Sequence, residues 1–441
     1  SVSVKAGNDA MQAATAIDVS GGSVVACGDR GFTLDDGGAL NITGGTFNCR
    51  NDQGSAIAIY DLGEVAQEEN ISISGDAKLT STSTSRKSYQ VLSLDDIGVT
   101  DSAYGANSGK VSTTITGGTF TTDPGDYLED DYQAVQGDDG YTVSMKDAVA
   151  TIGERKYTSL AKAIAAAQDD DTVTLVADTT EDITISGKKL TLDLGGKTLT
   201  NTNAGKATLT IAEGATAHVK NGSITGGTRY YNIDNYGIVD FTDVTATAGN
   251  NIASMIRNKG TMTINSGNYI NGLNTVKNEE DCDLIINNGT FETDSRPGGY
   301  IGVIFNAGHA TIYDGQFTAT DTTAVDKQTA TMRAVFAMQT DAAETKTTTD
   351  IKGGTFVVKN AHADASVSYG GKDPTIIQIT GGSYSPRPIS YSVADGYAIV
   401  NKTSSNPYYT IAPAKKITIK SAEHGRISSA PSAEAVGANV T

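Results

Sequence analysis

The chain has 441 residues, which is enough for more than one domain. Its 51 Asp and Glu residues outnumber 33 Lys and Arg residues, and the formal net charge of −18 argues against nucleic acid and anionic membrane surfaces as partners. No apolar run reaches the length of a membrane span, and no signal peptide or sorting motif is recognisable. Because the sequence begins within a strand pattern and stops abruptly, we expect a fragment of a longer protein.

The first part of the chain, residues 1–146, shows strand patterns that repeat. They lie at 17–24, 40–47, 71–79 and 115–120, and two of them contain the phrase ITGGTF, at 42–47 and 115–120. We predict that these are the later repeats of a first module. Cys27 and Cys49 lie 22 residues apart (49 − 27), about one repeat. Their offsets from the preceding Gly-Gly turn differ by one position, so both a disulfide and two unbonded thiols stay open.

One helix is predicted, over 158–168. An apolar stripe runs through Leu160, Ala163 and Ile164, Thr158 is the expected N-cap, and an acidic run at 169–171 ends the pattern. Stacked repeats need their open ends covered. We therefore predict that this helix closes the N-terminal end of a second module.

The centre of the chain contains a recurring corner. An apolar residue, any residue and Asn occur at 233–235, 256–258, 276–278 and 304–306, and three of the four continue as Asn-x-Gly. Asn and Gly tolerate the left-handed backbone conformation, so the pattern indicates a strand followed by a turn. In stacked repeats, these Asn side chains would form a ladder of amide hydrogen bonds.

Looser forms of the Gly phrase follow the last three of the four corners, at 264–269, 286–291 and 312–317. Their closing aromatic residues are 22 (291 − 269) and 26 (317 − 291) positions apart. Alternating apolar residues precede each phrase, which predicts strands with one buried and one exposed face. A period of this length without helical pattern indicates a solenoid whose repeats share one dry interior.

The C-terminal part sets the predicted domain boundaries. The phrase returns at 351–356 and 379–384, and the 39-residue gap between Phe317 and Phe356 (356 − 317) predicts either a repeat with a degraded turn or a large excursion. Asp-Gly-Tyr at 139–141 and at 395–397 follows the last phrase of each module. The predicted domains are thus a first module ending at 146, a second over 147–410, and a truncated small β repeat over 411–441.

Residues 148–199 resemble the opening of β-helix modules in large secreted surface proteins of Gram-positive gut bacteria, and the sequence up to about Val400 resembles the body of one module. The resemblance implies an all-β fold, a right-handed parallel β-helix solenoid of the pectin-lyase-like type, with two consecutive modules and one short capping helix. It also implies an extracellular location at the bacterial cell surface. It implies shape and location more firmly than chemistry.

Pectate lyases, which are enzymes of this architecture, use clustered acids to bind calcium and a basic residue to remove a proton. Acidic clusters occur here only at expected turns and junctions, where solvated side chains are the simpler interpretation. The Arg residues that could act as the base are scattered along the chain: Arg229, Arg257, Arg296 and Arg333. No cofactor is expected, although calcium between 129–139 and 169–171 stays open.

Glycoside hydrolases need paired carboxylates. The nearest candidates are Asp240, Asp243 and Asp314, of which Asp314 is expected to be a turn residue. His309 follows a corner Gly and is expected in a surface turn, and the four His residues lack metal-binding spacing. The interpretation as an enzyme is therefore the minority one.

A binding surface is easier to motivate. Exposed aromatic rings can stack against sugars, and Tyr230, Tyr231 and Tyr236 cluster beside Arg229. Two repeats further on, Tyr300 and Arg296 extend the candidate site. The chain has no Trp, and the alternative is that these Tyr residues only cover repeats or loop backbone.

We expect a non-catalytic segment of a bacterial cell-surface protein, a rod-like stalk or adhesin. It would present or bind ligands, namely host or dietary glycans or surface proteins. One alternative is a polysaccharide lyase or glycoside hydrolase acting on the lateral face. The other is a glycan-binding module.

Overall fold

The computed structural model describes residues 9–13, 15–26, 30–35, 39–49, 55–60, 69–81, 111–138, 140–201, 203, 205–226, 230–248, 253–294, 301–320, 332–341, 343–360, 362–371, 373, 376–416 and 433–435. These residues form mostly β-structure with long parallel sheets and one α-helix. The chain divides into two compact units, Ser1–Asp147 and Ala148–Thr441.

The first unit consists of short strands. They are β1 (Asp9–Ala13), β2 (Ala16–Ala26), β3 (Arg30–Asp35), β4 (Ala39–Cys49), β5 (Ser55–Tyr60), β6 (Glu69–Ile73), β7 (Lys78–Ser81), β8 (Val111–Ile115), β9 (Thr119–Phe120), β10 (Tyr132–Gly137) and β11 (Gly140–Met145).

Parallel pairing joins strands about one repeat apart in this unit. β2 pairs with β4, β4 with both β6 and β7, and β6 with β8, while β1, β3 and β5 form a separate parallel sheet. The apolar residues of the predicted strands, such as Leu40, Ile42 and Phe47, are buried in one cluster. The alternating pattern in the sequence therefore places the core of this unit.

The second unit contains the helix and the remaining strands. They are β12 (Ala150–Ile152), β13 (Arg155–Tyr157), α1 (Leu160–Ala166), β14 (Thr172–Leu175), β15 (Thr179–Thr180), β16 (Ile183–Ile185), β17 (Lys189–Asp193), β18 (Thr198–Asn201), β19 (Leu209–Ile211), β20 (Thr216–Gly226), β21 (Ile233–Asn235), β22 (Ile238–Ala248), β23 (Ile256–Asn258), β24 (Thr261–Ile264), β25 (Gly267–Ile270), β26 (Val276–Asn278), β27 (Asp283–Ile286), β28 (Thr290–Thr293), β29 (Ile301–Asn306), β30 (His309–Ile312), β31 (Gln316–Thr320), β32 (Met332–Met338), β33 (Thr348–Ile351), β34 (Thr355–Lys359), β35 (Val367–Gly370), β36 (Ile377–Ile379), β37 (Ser383–Ser385), β38 (Tyr397–Val400), β39 (Tyr409–Lys416) and β40 (Ala433–Ala435).

These strands stack in three parallel rows, and every repeat contributes to each row in turn. Row 1 is an eight-stranded sheet: β16, β19, β21, β23, β26, β29, β32 and β35. Row 2 comprises β14, β17, the first halves of β20 and β22, β24, β27, β30, β33 and β36. Row 3 comprises the two-residue strand β15, then β18, the second halves of β20 and β22, β25, β28, β31, β34 and β37.

The predicted Asn ladder is present at the ends of the row 1 strands. Asn235 Nδ2 donates to Asn258 Oδ1 over 2.7 Å, Asn258 to Asn278 over 2.7 Å, and Asn278 to Asn306 over 2.8 Å. All four side chains are fully buried. Each Asn also bonds neighbouring backbone groups, so its amide is satisfied without water.

Aromatic rings form a second internal stack in row 3. Tyr269, Phe291, Phe317, Phe356 and Tyr384 are buried, and successive ring centroids lie 4.7–5.0 Å apart. The spacing matches the distance between neighbouring strands, so the backbone ladder fixes the ring separation. The closing aromatic residues of the Gly phrases are therefore core residues.

The Gly residue two positions before each ring explains why the phrase recurs. Gly315 and Gly354 adopt positive φ angles of 133° and 102°. A Cβ atom at Gly315 would lie 3.1 Å from the ring of Phe317, and one at Gly354 would lie 3.2 Å from the ring of Phe356. A larger residue would be strained in backbone and crowded against the ring at once.

The helix is shorter than predicted. It spans Leu160–Ala166 instead of 158–168, and its N-cap is Ser159, whose hydroxyl accepts a hydrogen bond from the Lys162 amide at 3.1 Å. Thr158 precedes the cap, so the prediction of Thr158 as N-cap is wrong. Either hydroxyl suits a cap chemically, and only the extended backbone of Ser159 selects it.

Side chains from the following segment hold both ends of the helix. The carboxylate of Glu181 accepts hydrogen bonds from the amides of Leu160 and Ala161, each at 2.9 Å. At the other end, Lys188 Nζ donates to three carbonyl oxygens at 2.7–2.8 Å, those of Ile164, Ala165 and Ala167. A negative group at the N-terminus and a positive one at the C-terminus both match the helix dipole.

Both units end in the same way. In each unit, an isolated parallel bridge follows the last repeat, Ile115–Leu128 in the first unit and Ile379–Val393 in the second. An antiparallel strand then pairs with the strand that contains the last aromatic residue of the Gly phrases, β11 with β9 and β39 with β37. The strands that start at Tyr132 and Tyr397 begin four residues after these bridges. The counterpart of Tyr397 is therefore Tyr132, whereas Tyr141 lies one strand later, in β11.

The gap between Phe317 and Phe356 hides no extra repeat. Phe317 pairs directly with Phe356 in neighbouring strands, and β32 supplies the row 1 strand between them. The repeat with a degraded turn is thus wrong, and the excursion is the correct alternative. Its described part, at 339–341 and 343–347, is fastened by Asp281, whose carboxylate accepts bonds from the amides of Glu344 and Thr345.

Two further predictions fall largely outside the described residues. Cys27 is not described, and only the backbone of Cys49 is, where it pairs with Ala26. Of the predicted small repeat at 411–441, the structure describes only the end of β39 and β40.

Candidate functional site

Row 1 carries polar side chains on the outside of the second unit. Asp234 in β21 pairs in register with Arg257 in β23, which pairs with Lys277 in β26. The residues on both sides of these positions point into the core, for example Ile233 and Asn235. The three polar side chains therefore form a column on the outward face.

Asp234 and Arg257 form an ion pair with two hydrogen bonds. Arg257 Nε lies 2.8 Å from Asp234 Oδ1, and Nη2 lies 2.6 Å from Oδ2. Only 4% of the Asp234 side chain and 15% of the Arg257 side chain are exposed. The hydrogen bond to Asp234 raises the pKa of the Arg257 guanidinium further above its ordinary value, so the guanidinium stays charged at neutral pH.

Three tyrosines surround this pair. Arg257 Nη2 donates to the hydroxyl of Tyr236 at 2.5 Å and to that of Tyr230 at 3.2 Å. Arg257 Cζ lies 4.4 Å from the ring centroid of Tyr231 and 5.4 Å from that of Tyr236. Tyr230 and Tyr231 meet edge to face at 4.8 Å. We call Tyr230, Tyr231, Asp234, Tyr236 and Arg257 the tyrosine–arginine cluster.

The charge of Arg257 holds the aromatic rings of the cluster in place, in addition to their packing. Cation–π contacts of this kind gain strength where water is excluded. Burial, with the nearby Asp234 carboxylate, raises the pKa of Tyr236, so its hydroxyl stays protonated and donates to Asp234 at 3.2 Å. Tyr236 is nonetheless 37% exposed. A rigid and partly exposed aromatic ring is thus presented on the surface.

The structure brings together half of the predicted site. Tyr230, Tyr231 and Tyr236 lie in one cluster, whereas Arg229, Arg296 and Tyr300 lie outside the described residues. Arg257, one of the arginines expected to be scattered over different repeats, lies at the centre of the cluster, and the sequence interpretation did not include it in the site. The sequence does contain a signal for this contact. When the recurring apolar-x-Asn segments are aligned, Arg257 falls directly beside Asp234.

Cationic groups extend the site along the outward face. Lys259 Nζ lies 5.7 Å from the centroid of the Tyr236 ring, and Lys277 Nζ lies 6.0 Å from that of Phe305. Lys277 also pairs with Glu279 at 2.8 Å. The region therefore alternates aromatic rings with amines and carboxylates, which are groups that can bond hydroxyl-rich ligands.

The acidic candidates have local partners. Asp240 is hydrogen-bonded to His218 of the preceding repeat. Asp243 Oδ1 accepts a 2.6 Å bond from the hydroxyl of Ser266, and Asp314 Oδ1 accepts from the amide of Gly315 at 2.8 Å, which is a turn contact as expected. The three carboxylates are thus engaged with different partners and do not form a pair.

His309 lies in a strand, at the start of β30, so its expected place in a turn is wrong. Its ring nitrogens contact the hydroxyls of Thr348 at 3.1 Å and Thr345 at 2.9 Å. The ring therefore helps to hold the excursion before β33.

Neither a reactive thiol nor a metal-binding group is found among the residues that the structure describes. Burial raises the pKa of the Cys282 thiol to about 11, which disfavours the thiolate. Among the residues that the structure describes, no group of three or more His, Cys, Asp or Glu side chains could hold a metal ion. In the same residues, no helix is long and apolar enough to cross a membrane.

Comparison of the chain with protein-family profiles, curated proteins and solved structures finds no match. Its function therefore has to be inferred from its own residues.

Proposed function

We propose that the chain belongs to a secreted surface protein of a Gram-positive gut bacterium and that its modules are right-handed parallel β-helices of the pectin-lyase-like type. Three rows of parallel strands, visited in a constant order, support this architecture. Crossover connections between parallel strands are right-handed in about 98% of cases. The resemblance of residues 148–199 to module openings supports the location.

Within that protein, the chain serves as a non-catalytic stalk or adhesin that presents or binds ligands. The observation that carries this proposal is the continuous interior of the second unit, where the Asn ladder and the ring stack pass from repeat to repeat. Eight repeats at ~4.8 Å spacing make a stack about 35 Å long. Such an interior stabilises an extended, regular scaffold.

The tyrosine–arginine cluster favours a second candidate, glycan binding without catalysis. Sugar rings dock on aromatic faces through their C–H groups, and a ring held in place loses little entropy on binding. Tyr236 offers such a ring, with Lys259 beside it as a hydrogen-bond donor. Host or dietary glycans are thus the ligands we expect, with surface proteins as the alternative.

A glycan array tests the binding role. The intact chain should retain a defined group of glycans, and Tyr236→Ala should lose them. Tyr313→Ala is the matched control, because Tyr313, just after β30, is 48% exposed and its ring also lies close to a lysine, Lys352. Equal binding by both variants would place the ligand elsewhere.

An activity assay tests the non-catalytic role. The chain is incubated with mixed polysaccharides, and reducing ends and unsaturated uronates are measured with and without a chelator. We expect no turnover. Turnover abolished by chelation would replace this proposal with a calcium-dependent lyase, and turnover that resists chelation would indicate a hydrolase.

A further inference from the structure

The outward face of row 3 differs chemically from the rest of the second unit. In each of the eight strands from β18 to β37, one buried apolar residue marks the same level of the row: Leu199, Ile224, Ala246, Tyr269, Phe291, Phe317, Phe356 and Tyr384. The residues immediately before and after each of these face outward, which gives sixteen positions (8 × 2), and none of them is buried. Glu292 is the one charged residue among the sixteen, and Lys359 follows on the same side at the far end of β34.

Hydroxyl groups dominate this face. The first three strands place Thr or Ser at all six outward positions: Thr198, Thr200, Ser223, Thr225, Thr245 and Thr247. These positions are in register from strand to strand. Neighbouring hydroxyls even reach each other, since Thr200 Oγ1 lies 2.8 Å from Thr225 Oγ1. We call the sixteen positions the hydroxyl face.

The geometry of the face is regular. Neighbouring strands lie ~4.8 Å apart, and alternate residues on one strand lie about 6.7 Å apart. Each Thr presents a methyl group and a hydroxyl group on this grid. The face therefore alternates apolar and hydrogen-bonding groups at the scale of a sugar ring, which has the same mixture of C–H and O–H.

The low charge of the face, one carboxylate among sixteen positions, argues for a neutral partner. Row 2, on the adjacent side, has charged outward residues such as Lys189, Asp240 and Asp350. Burying an unpaired charge against a neutral surface is costly, so a face that binds one should lack charges. An anionic polymer would find no cation among the sixteen positions and would meet a chain of net charge −18.

Area argues against a second copy of this chain as the partner. Eight strands, each about 15 Å long, cover roughly 500–600 Å². A stable protein interface buries about 800 Å² on each partner and has an apolar centre. The hydroxyl face is smaller and polar. It suits a partner that repeats, because many weak contacts then act together.

We infer that the hydroxyl face binds the flat surface of a neutral, insoluble polysaccharide. The inference deepens the proposed ligand-binding role and rests on it, but it concerns another face than the tyrosine–arginine cluster. Thr hydroxyls would exchange hydrogen bonds with sugar hydroxyls, while Thr methyl groups pack against sugar C–H groups.

Sedimentation with microcrystalline cellulose and with chitin particles tests the inference on the full chain. The chain should co-sediment with at least one of them. The double variant Thr225→Lys, Thr247→Lys should weaken binding by about tenfold or more, because two lysines would lose water against a neutral surface. The control Thr263→Lys, on the outward face of row 2, should bind as the unmodified chain does.

A second variant, which should bind more strongly than the unmodified chain, distinguishes an effect on binding from misfolding. Glu292→Gln removes the one charge of the hydroxyl face and should strengthen binding by about twofold to threefold. Failure to bind either particle, or unchanged binding by the double variant, overturns the inference. If Tyr236→Ala abolishes sedimentation while the double variant does not, the cluster is the binding site; the hydroxyl face is then excluded and the proposed function stands.

Discussion

Asp234 and Arg257 are 23 residues apart in sequence, yet they form a two-bond ion pair because their strands stack in register. The pair joins two successive repeats on the outside, as Asn235 and Asn258 join them on the inside. Two neighbouring positions on one strand thus hold the same pair of repeats together by different means.

Removing one partner of the ion pair should be costly. Arg257→Ala leaves a buried carboxylate without a counter-ion, and we expect a loss of about 3–5 kcal/mol in unfolding free energy. Denaturant titration measures it. Lys206→Ala is the control, since Lys206 and Asp182 pair at 2.7 Å with side chains 61% and 35% exposed, and should lose less than about 1 kcal/mol. Equal losses would show that burial of the cluster does not matter.

The Asn ladder should depend on each of its members. Asn258→Ala leaves the Nδ2 group of Asn235 and the Oδ1 group of Asn278 without their side-chain partner in a dry interior. We expect a loss of about 2–4 kcal/mol. Asn268→Ala, at an exposed position, should change stability by less than about 0.5 kcal/mol. A loss at position 258 as small as that at 268 would contradict the role of the ladder.

The ring stack should behave as a tightly packed core. Phe317 contacts rings on both sides and is fully buried, so Phe317→Ala should cost about 3–5 kcal/mol. Thermal and denaturant unfolding measure this change. Tyr313→Ala, an exposed aromatic four residues earlier, should cost less than about 1 kcal/mol. Similar effects of the two substitutions would indicate a loosely packed interior.

The lysine that closes the helix should stabilise it locally. Lys188→Ala frees three carbonyl oxygens at the C-terminus of α1, and we expect a loss of about 1–2 kcal/mol. Hydrogen exchange at residues 163–167 should accelerate. Lys156→Ala, at an exposed position before the helix, should leave exchange unchanged. Unchanged exchange in Lys188→Ala would mean that packing alone holds the helix.

Acid should release the excursion before β33. Hydrogen bonds from the Thr345 hydroxyl and from the amides of Glu344 and Thr345 lower the pKa of Asp281 below its ordinary value of 3.8. A lowered folded pKa means that the tether is complete above pH ~4 and is lost as the pH falls through the lower folded value. The protection factor of the Thr345 amide, which corrects the exchange rate for its intrinsic pH dependence, should fall over that range. In Asp281→Asn, this factor should be low at every pH, and a pH-independent factor in the unmodified chain would refute the tether.

Repetition made the interior predictable. The Asn at the end of four row 1 strands and the aromatic residue that closes the Gly phrases recur in sequence, so their stacking could be expected from the sequence alone. Periodicity reports contacts between equivalent positions, and both stacks consist of such contacts.

The cluster around Arg257 was harder to predict, because its members are not equivalent positions. Tyr230 and Tyr231 precede β21, whereas Arg257 belongs to the next repeat. The choice of Ser159 over Thr158 as N-cap depended on one backbone conformation. The match of Tyr397 with Tyr132 depended on strand register. The cluster, the N-cap and the strand register each depend on backbone geometry. The sequence does not show this geometry where neighbouring residues are of similar type.

The antiparallel closure of each unit restricts how such a protein can lengthen over evolution. Because β11 and β39 run against the strands that they cover, a repeat added after them could not continue the parallel rows. Growth must come from duplication upstream, between the helix and the closure. The near-identical Gly phrases offer matching sites for unequal recombination, and an exchange between any two of them would insert a whole repeat already in register.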